Sequence, residues 1–494
     1  MISSNLPALQ VVLPLLAAPL CIILHNRKLT WILTITTCIT CFVISCSLLN
    51  RVLIENTITY SMGGWLAPWG IEYYIDKLTA YMLLIISAVA TLVSIGAKES
   101  IENEIASDRI YLFYTTFLLN LTGLLGVIIT GDAFNLFVFI EIASLSSYAI
   151  ISLGKDKRSL YSAFKYLIFG TIGASFILIS VGLLYAVTGT LNISDLSQQL
   201  AHTENSATIT TAFVFFIIGI GIKAAIFPLH LWLPDAYTHS PSIVSTFLAG
   251  TTTKVFIYVL IRFIYSLYGY EYSFYLESFN YLLMIVACGA IVYGSILAIK
   301  QDSIKRLLAY SSISQIGYMI LGLALITELG LAACLTNMFN HAFIKTGLFL
   351  AVAVIIYYYQ SDSIKQLSGM AKTSPLIFIL FLISGLSIIG VPLTSGFISK
   401  WYLIKASIDA GYWFFVLVIV FSSVLAIIYI GRIIESAYFK SEENRILIYD
   451  ENRKTPYLLF FSLLIFTFIN IYFGIETTLN VDIAMQISSD LINK

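Results

Sequence analysis

The chain has 494 residues, of which 59% are hydrophobic and only 11% charged, and its 27 basic side chains balance 27 acidic ones to a formal net charge of zero. Soluble domains carry about 25% charged residues, so this composition, with a mean hydropathy of +0.91, excludes an ordinary soluble enzyme and reads as a polytopic membrane protein. The zero net charge leaves no electrostatic case for nucleic acid as a partner.

In chain order, runs of about 20 apolar residues, the length that crosses a bilayer, fall at 6–24, 30–48, 77–96, 110–130, 133–153, 163–187, 209–227, 241–267, 280–299, 304–326, 329–357, 375–403, 412–437 and 456–474. They predict an all-α polytopic fold of about fourteen transmembrane helices, with 1–494 as a single membrane domain. The polar stretches around 190–208 and 439–455 are too short to fold alone. The first span lacks a basic leader and reads as a retained helix.

Basic residues mark one face. Loops after odd-numbered spans hold Arg27, Lys28, Lys98, Arg109, Lys155, Lys157, Arg158, Lys300, Lys305, Arg306, Lys440, Arg445 and Arg453 among others, while the opposite ends hold chiefly Arg51, Lys77, Arg262, Lys405 and Lys494. The positive-inside rule makes the first face cytoplasmic and puts both termini on the outer side of a cell (inner) membrane.

Two spans contain helix breakers: Phe227-Pro228-Leu229 with Pro234, and the run Gly390-Val391-Pro392-Leu393-Thr394-Ser395-Gly396. Broken backbone at membrane depth is tolerated where protein or water satisfies it, and paired breaks point to an inverted-repeat transporter. These breaks fall in the seventh and twelfth spans. The spacing predicts three N-terminal helices over 1–109, five-helix repeats over 110–267 (spans 4–8) and 280–438 (spans 9–13), and a last helix over 456–474.

Lys223, Lys254, Lys345, Lys400 and Glu141 lie inside apolar spans, where a charge costs roughly 2.5–3.5 kcal/mol even on lenient insertion scales. Such groups are kept for ion movement. A buried lysine beside a carboxylate holds its proton, and one without that partner releases it; Glu141 with Lys223 is predicted to be such a switch. Lys254 follows Thr251, Thr252 and Thr253, whose hydroxyls can hold relay waters. His341 and Lys345 stand one turn apart on one helix face, a proton-relay arrangement in which histidine is the shuttle near neutral pH. His230 and His239 flank the proline-rich turn and read equally as relay or interfacial residues. Asp132, Asp235 and Arg432 fall near span ends, where solvation or headgroup contact is the cheaper reading.

Other motifs read as structural. Cys38 and Cys41 form a C-x-x-C in mid-helix without a second pair or a nearby histidine, which is packing and not a metal site. The glycines at 170–173 and 317–322 suit close helix packing. No dinucleotide fingerprint, P-loop or catalytic triad is present, so no cofactor and no metal are expected.

These motifs carry a resemblance. Gly63-Gly64-Trp65-Leu66-Ala67-Pro68-Trp69-Gly70-Ile71 with Asp76, Gly131-Asp132-Ala133-Phe134-Asn135-Leu136-Phe137-Val138-Phe139-Ile140-Glu141, the run from Gly221 to Ala236, Thr253-Lys254-Val255, and Asn340-His341-Ala342-Phe343-Ile344-Lys345 together resemble the antiporter-like membrane subunits of respiratory complex I, membrane-bound hydrogenases and Mrp-type cation/proton antiporters. The resemblance spans most of the chain. It implies a fourteen-helix core with inverted repeats and a wire of ionisable groups: Glu141 as coupling carboxylate, Lys223 as switch, Lys254 as connecting relay, His341 and Lys345 as second half-channel, and Lys400 as terminal donor or acceptor. It also implies other membrane subunits as partners, and protons and Na+ as the transported ions. A lysine at position 400, the Gly-Gly-Trp segment and the short extension after the last span point to the D-type subunit of an Mrp antiporter, a transporter component and not an enzyme by itself. The alternative is a proton-pumping membrane subunit of an NADH-quinone oxidoreductase or hydrogenase.

Overall fold

The computed structural model describes residues 3–203, 206–269, 277–439 and 454–493. Lys440, Arg445, Arg453 and Lys494, used above for orientation, lie outside them. The chain runs α1 (Leu6–Leu24), α2 (Arg27–Glu55), the hairpin β1 (Ile58–Ser61) and β2 (Glu72–Ile75), α3 (Lys77–Glu104), α4 (Ile110–Ile129), α5 (Ala133–Ser152), α6 (Lys157–Thr188), α7 (Ile193–His202), α8 (Ala207–Lys223), α9 (Leu233–His239), α10 (Ser242–Gly250) and α11 (Thr252–Ile261). After a π-turn at Arg262–Leu267 come α12 (Glu277–Ile299), α13 (Ile304–Ala324), α14 (Glu328–Tyr359), α15 (Pro375–Ile389), α16 (Ser395–Asp409), α17 (Trp413–Phe439), α18 (Tyr457–Ile475) and α19 (Thr478–Ile492).

Twelve helical segments among the described residues are long and apolar enough to cross a membrane, and α8 and α15 are shorter apolar helices. Both expected breaks are present. The seventh predicted span, 209–227, ends four residues early at Lys223, and the twelfth, 375–403, is divided between Ile389 and Ser395. The β-hairpin, α7, α9 and α19 lie outside the predicted spans, α9 falling between the seventh and the eighth. The β-hairpin pairs Ile58 with Ile75 through to Ser61 with Glu72, α7 occupies the polar 190–208 stretch, and α19 follows the last span.

Helix starts are fixed by short polar side chains that accept otherwise orphaned backbone N–H groups. Asp76 accepts from the Thr79 amide at 2.9 Å, Asp132 from Asn135 at 2.7 Å, and Ser303 from Arg306 at 3.2 Å. Asp132 is therefore a buried cap and not a solvated end residue. Asp235 is likewise drawn into ion pairs with Lys165 (2.6 Å) and Arg306 (3.6 Å), and Arg432 meets Asp302 at 3.5 Å.

The molecule is layered around α14, which is buried almost continuously from Gly330 to Ile355 and packs against α3, α10, α13, α15, α16, α18 and α19. In lipid the hydrophobic effect does not drive helices together, so close contact rests on small residues. A Cβ on Gly219 of α8 would lie 2.6 Å from the Gly173 carbonyl of α6, and one on Gly322 of α13 would lie 2.7 Å from the Gly330 carbonyl of α14. Gly123 of α4 meets the Ala143 backbone of α5. Cys38 and Cys41 are fully buried free thiols, and Cys41 Sγ reaches the Gln10 carbonyl at 3.8 Å.

Candidate functional site: ionisable groups buried at helix breaks

The chain between α8 and α9 leaves the helix at Lys223. The carbonyl of Ile222 loses its i+4 helical donor there and accepts instead from the Ala225 amide at 3.2 Å and from the Trp232 indole at 2.8 Å, with Trp232 stacked on Tyr166. With the helix end satisfied by an amide and an indole, the Lys223 ammonium is free to turn to α5. It donates to Ser144 Oγ at 2.6 Å and to Glu141 Oε1 at 3.4 Å. Lys223 is fully buried, while the Glu141 side chain is 25% exposed on an outward face of α5 that it shares with Phe134, Val138 and Leu145.

The second break puts its lysine on the other side. Lys400, in the second turn of α16, reaches back to the last carbonyls of α15, donating to Ile388 at 2.9 Å and Ile389 at 2.8 Å. Ser423 Oγ accepts at 3.0 Å, and the ammonium lies over the Tyr318 ring at 5.3 Å, a cation–π contact. Gly390 makes the turn with φ +89°, and a Cβ there would sit 2.9 Å from Lys400 Cδ. The backbone needs glycine twice over, for its conformation and for the lysine stem.

Between these breaks lies a third discontinuity. α10 and α11 meet at Thr251 (φ −118°, ψ −63°), and the Lys254 ammonium turns back to the Ala249 carbonyl near the end of α10, where carbonyls leave the helical ladder. A Cβ on Gly250 would collide with Thr346 Oγ1 and lie 2.8 Å from a Val89 methyl, so this joint is pressed against the turn of α14 that holds His341 and Lys345. Lys345 donates to the Leu308 carbonyl at 2.8 Å and to Ser311 Oγ of α13. His341 is 1% exposed, and among the described residues neither ring nitrogen has a hydrogen-bond partner. Lys254 is within electrostatic reach of both His341 and Lys345.

Lys223 and Lys254 thus sit on touching helices, α8 and α11, as do Lys345 and Lys400 on α14 and α16, while α10, whose Ala249 carbonyl holds Lys254, packs against α14. A family model described as "NADH:quinone oxidoreductase/Mrp antiporter, TM" matches residues 130–426, more than half of the chain. The chain belongs to this family. It is 42% identical, over 77% of its length and 75% of the other's, to NADH-quinone oxidoreductase subunit N of Desulforudis audaxviator. It is 32% identical, over 72% and 70%, to the D-type subunit of the Na(+)/H(+) antiporter of Alkalihalophilus pseudofirmus. Its fold matches a chain of the membrane-bound sulfane sulfur reductase, an archaeal respiratory membrane complex, with a TM-score of 0.90 at 30% identity, covering 99% and 98% of the two chains. Glu141, Lys223, Lys254, His341, Lys345 and Lys400 all fall inside the family's matched region.

Of the residues left open by sequence, His230 is 2% exposed and lies between Phe227 and Tyr293, each about 5 Å away between ring centres; His239 ends α9. Sequence reading missed Ser144, although its place three residues after Glu141 puts both on one helix face. It also missed Lys305, placed in a loop but buried here.

Proposed function

We propose that the chain is the proton-conducting membrane subunit of a multisubunit monovalent cation/proton antiporter of the Mrp type, with Glu141, Lys223, Lys254, His341, Lys345 and Lys400 as its proton relay. The observation that carries this reading is the Glu141–Lys223 pair at the first break. An ion pair 3.4 Å apart, with one member fully buried and the other part-exposed, is a two-position device: contact retains the proton on the amine, and separation lets it go. Water-lined steps through Lys254 and the His341–Lys345 turn would pass the proton to Lys400.

A carboxylate facing outward at bilayer depth is costly, so the outward face of α5 is taken to be covered by another membrane subunit of the assembly. Carboxylates at depth are scattered, whereas sodium prefers clustered oxygen ligands, so the cation path is assigned to a partner chain. Residues 110–267 and 280–438 are read as the two inverted repeats, which is supported by a lysine against the break in each. Both termini are placed on the outer side of the inner membrane, which is supported by the basic loops of the other face.

The test is exchange in sealed vesicles carrying the assembled complex: a sodium gradient should drive a pH change inside, and Lys223→Ala should remove it. A redox-driven pump in a respiratory complex is the second reading, favoured by the 42% identity to NADH-quinone oxidoreductase subunit N. Co-purification of flavin or iron–sulphur chains, with proton movement that follows NADH and ignores sodium, would select it.

A further inference from the structure

Lys305 is 4% exposed, more buried than Lys400 at 8% and close to Lys223, Lys254 and Lys345 at 0%, although it stands in the first turn of α13 on the basic face of the bundle. Its ammonium donates to the Ser240 carbonyl at 2.5 Å, and the carboxylates of Glu104 and Asp362 are within electrostatic reach. Glu104 is itself held in place, accepting from the Ser242 amide at 2.8 Å and its hydroxyl at 3.0 Å. A long side chain at a helix start is free to reach water; this one is turned inward.

Inward from Lys305 the polar groups continue. The Ser240 and Ser245 hydroxyls are hydrogen-bonded to each other at 2.8 Å, and Ser245 also donates to the Tyr237 carbonyl at 2.7 Å. The Tyr237 hydroxyl donates to the Leu248 carbonyl at 3.1 Å and lies beside the Thr253 hydroxyl. Thr253 precedes Lys254, whose ammonium takes the next carbonyl along, that of Ala249. Each of these side chains is no more than 2% exposed. Ser245 also reaches the Pro241 carbonyl one turn back, at 3.3 Å, the usual resting place of a buried helical hydroxyl, and three hydroxyls from separate turns are set between two buried ammonium groups.

We propose that Lys305 is the intake group through which protons from the basic face reach Lys254, with the hydroxyls of Ser240, Ser245 and Tyr237 as the intervening track. This rests on the reading of Lys254 as part of the relay. Only the Ser240 and Ser245 hydroxyls touch each other, the remaining contacts ending on backbone carbonyls, so water carries the proton from the Lys305 amine to Ser240, from Ser245 to the Tyr237 hydroxyl and from there past Thr253. Each hydroxyl accepts one proton on its oxygen as it gives up another, and the neutral Lys254 amine is the receiver. The competing role is mechanical: by holding the Ser240 carbonyl, Lys305 would only fix the joint between α9 and α10.

Two substitutions in the full complex separate these roles. Lys305→Arg keeps the charge and the donors but holds its proton at any working pH, and Tyr237→Phe keeps the ring and removes one oxygen. In sealed vesicles under a sodium gradient, with assembly checked by purification of the complex, both variants should assemble and lose at least tenfold in the initial rate of pH change. Wild-type exchange by either assembled variant overturns the proposal, and if Lys305→Arg fails to assemble, Tyr237→Phe decides. Lys254→Gln is measured alongside. Normal exchange by that variant would sink the relay reading itself, whereas its loss together with normal Tyr237→Phe and Lys305→Arg sinks the intake route alone.

Discussion

At the first helix break an indole joins the Ala225 amide on the freed carbonyl and the lysine goes to a carboxylate; at the second the lysine satisfies the carbonyls itself, and among the described residues no carboxylate reaches it. The same local problem, a helix end inside a membrane, is solved by different groups, and the lysine's electrostatic partner follows from which solution is used. Lys223 sits in a field that changes when one side chain moves. Lys400 sits against the negative end of a helix dipole, which changes only if the helix moves. The pair at Lys223 suits a switch, and the cradle at Lys400 suits a fixed terminal site.

The largest expected effect tests the switch. Lys223→Ala should lower proton exchange by about 100-fold or more, the order contributed by a positioned proton-transfer group, while the amount of complex in the membrane stays near wild type because a desolvated charge has been removed. Exchange within a few-fold of wild type in vesicles would show that the first break carries no proton.

Next comes the cradle. Gly390→Ala introduces a Cβ at φ +89° and 2.9 Å from Lys400 Cδ; the backbone strain alone is about 1–3 kcal/mol, and the lysine must leave Ile388 and Ile389. About a tenfold drop in exchange is expected, with a lower melting temperature of the purified complex. An unchanged rate with a lowered melting temperature would mean that the position of Lys400 does not limit transport, which would weaken the comparison at its second half.

How much of this was legible in sequence differs between the two breaks and the joint at Thr251. Pro228 and the Gly390–Gly396 run mark the breaks because proline and glycine have strong local meaning, and a lysine in an apolar run is conspicuous by its cost. The joint has no proline, and Gly250 and three threonines do not by themselves signal a helix that stops and restarts. Its geometry comes from α14 pressing on Gly250, a contact made 92 to 96 residues away in sequence. Lys305 was misplaced for a related reason: one turn from a loop, its burial depends on Ser240 and Glu104 folding over it. α19 escaped because its buried side chains, such as Asn480, which accepts from Tyr81 and donates to Asn340, are not apolar enough to register as a span.

A milder perturbation separates capping from charge. Trp232→Phe keeps a ring near Tyr166 but removes the indole hydrogen bond to the Ile222 carbonyl, which keeps only the longer one from the Ala225 amide at 3.2 Å, a cost of about 1 kcal/mol for one lost hydrogen bond. The melting temperature should fall, and exchange should fall less than in Gly390→Ala, because Lys223 keeps both of its partners. If exchange instead collapses as in Lys223→Ala, the lysine has turned to the carbonyls of a broken helix end, as Lys400 does, and the two breaks are interchangeable after all.

The smallest effect compares two hydroxyls. Ser144→Ala and Ser423→Ala each delete one hydrogen bond to a lysine, about 1 kcal/mol in the usual range. The loss should matter more at the first break. Ser144 lies 2.6 Å from Lys223 whereas the carboxylate is at 3.4 Å, so the hydroxyl holds the ammonium at the distance from which it can close on Glu141 or draw away. Lys400 retains two carbonyls at 2.9 and 2.8 Å when Ser423 is removed, and its position is little altered. A few-fold slower exchange for Ser144→Ala and a near-normal rate for Ser423→Ala are expected in the same vesicle measurement. Equal rates for the two variants would place the control of Lys223 with Glu141 alone, and the reverse order would make the second break the more finely balanced of the two.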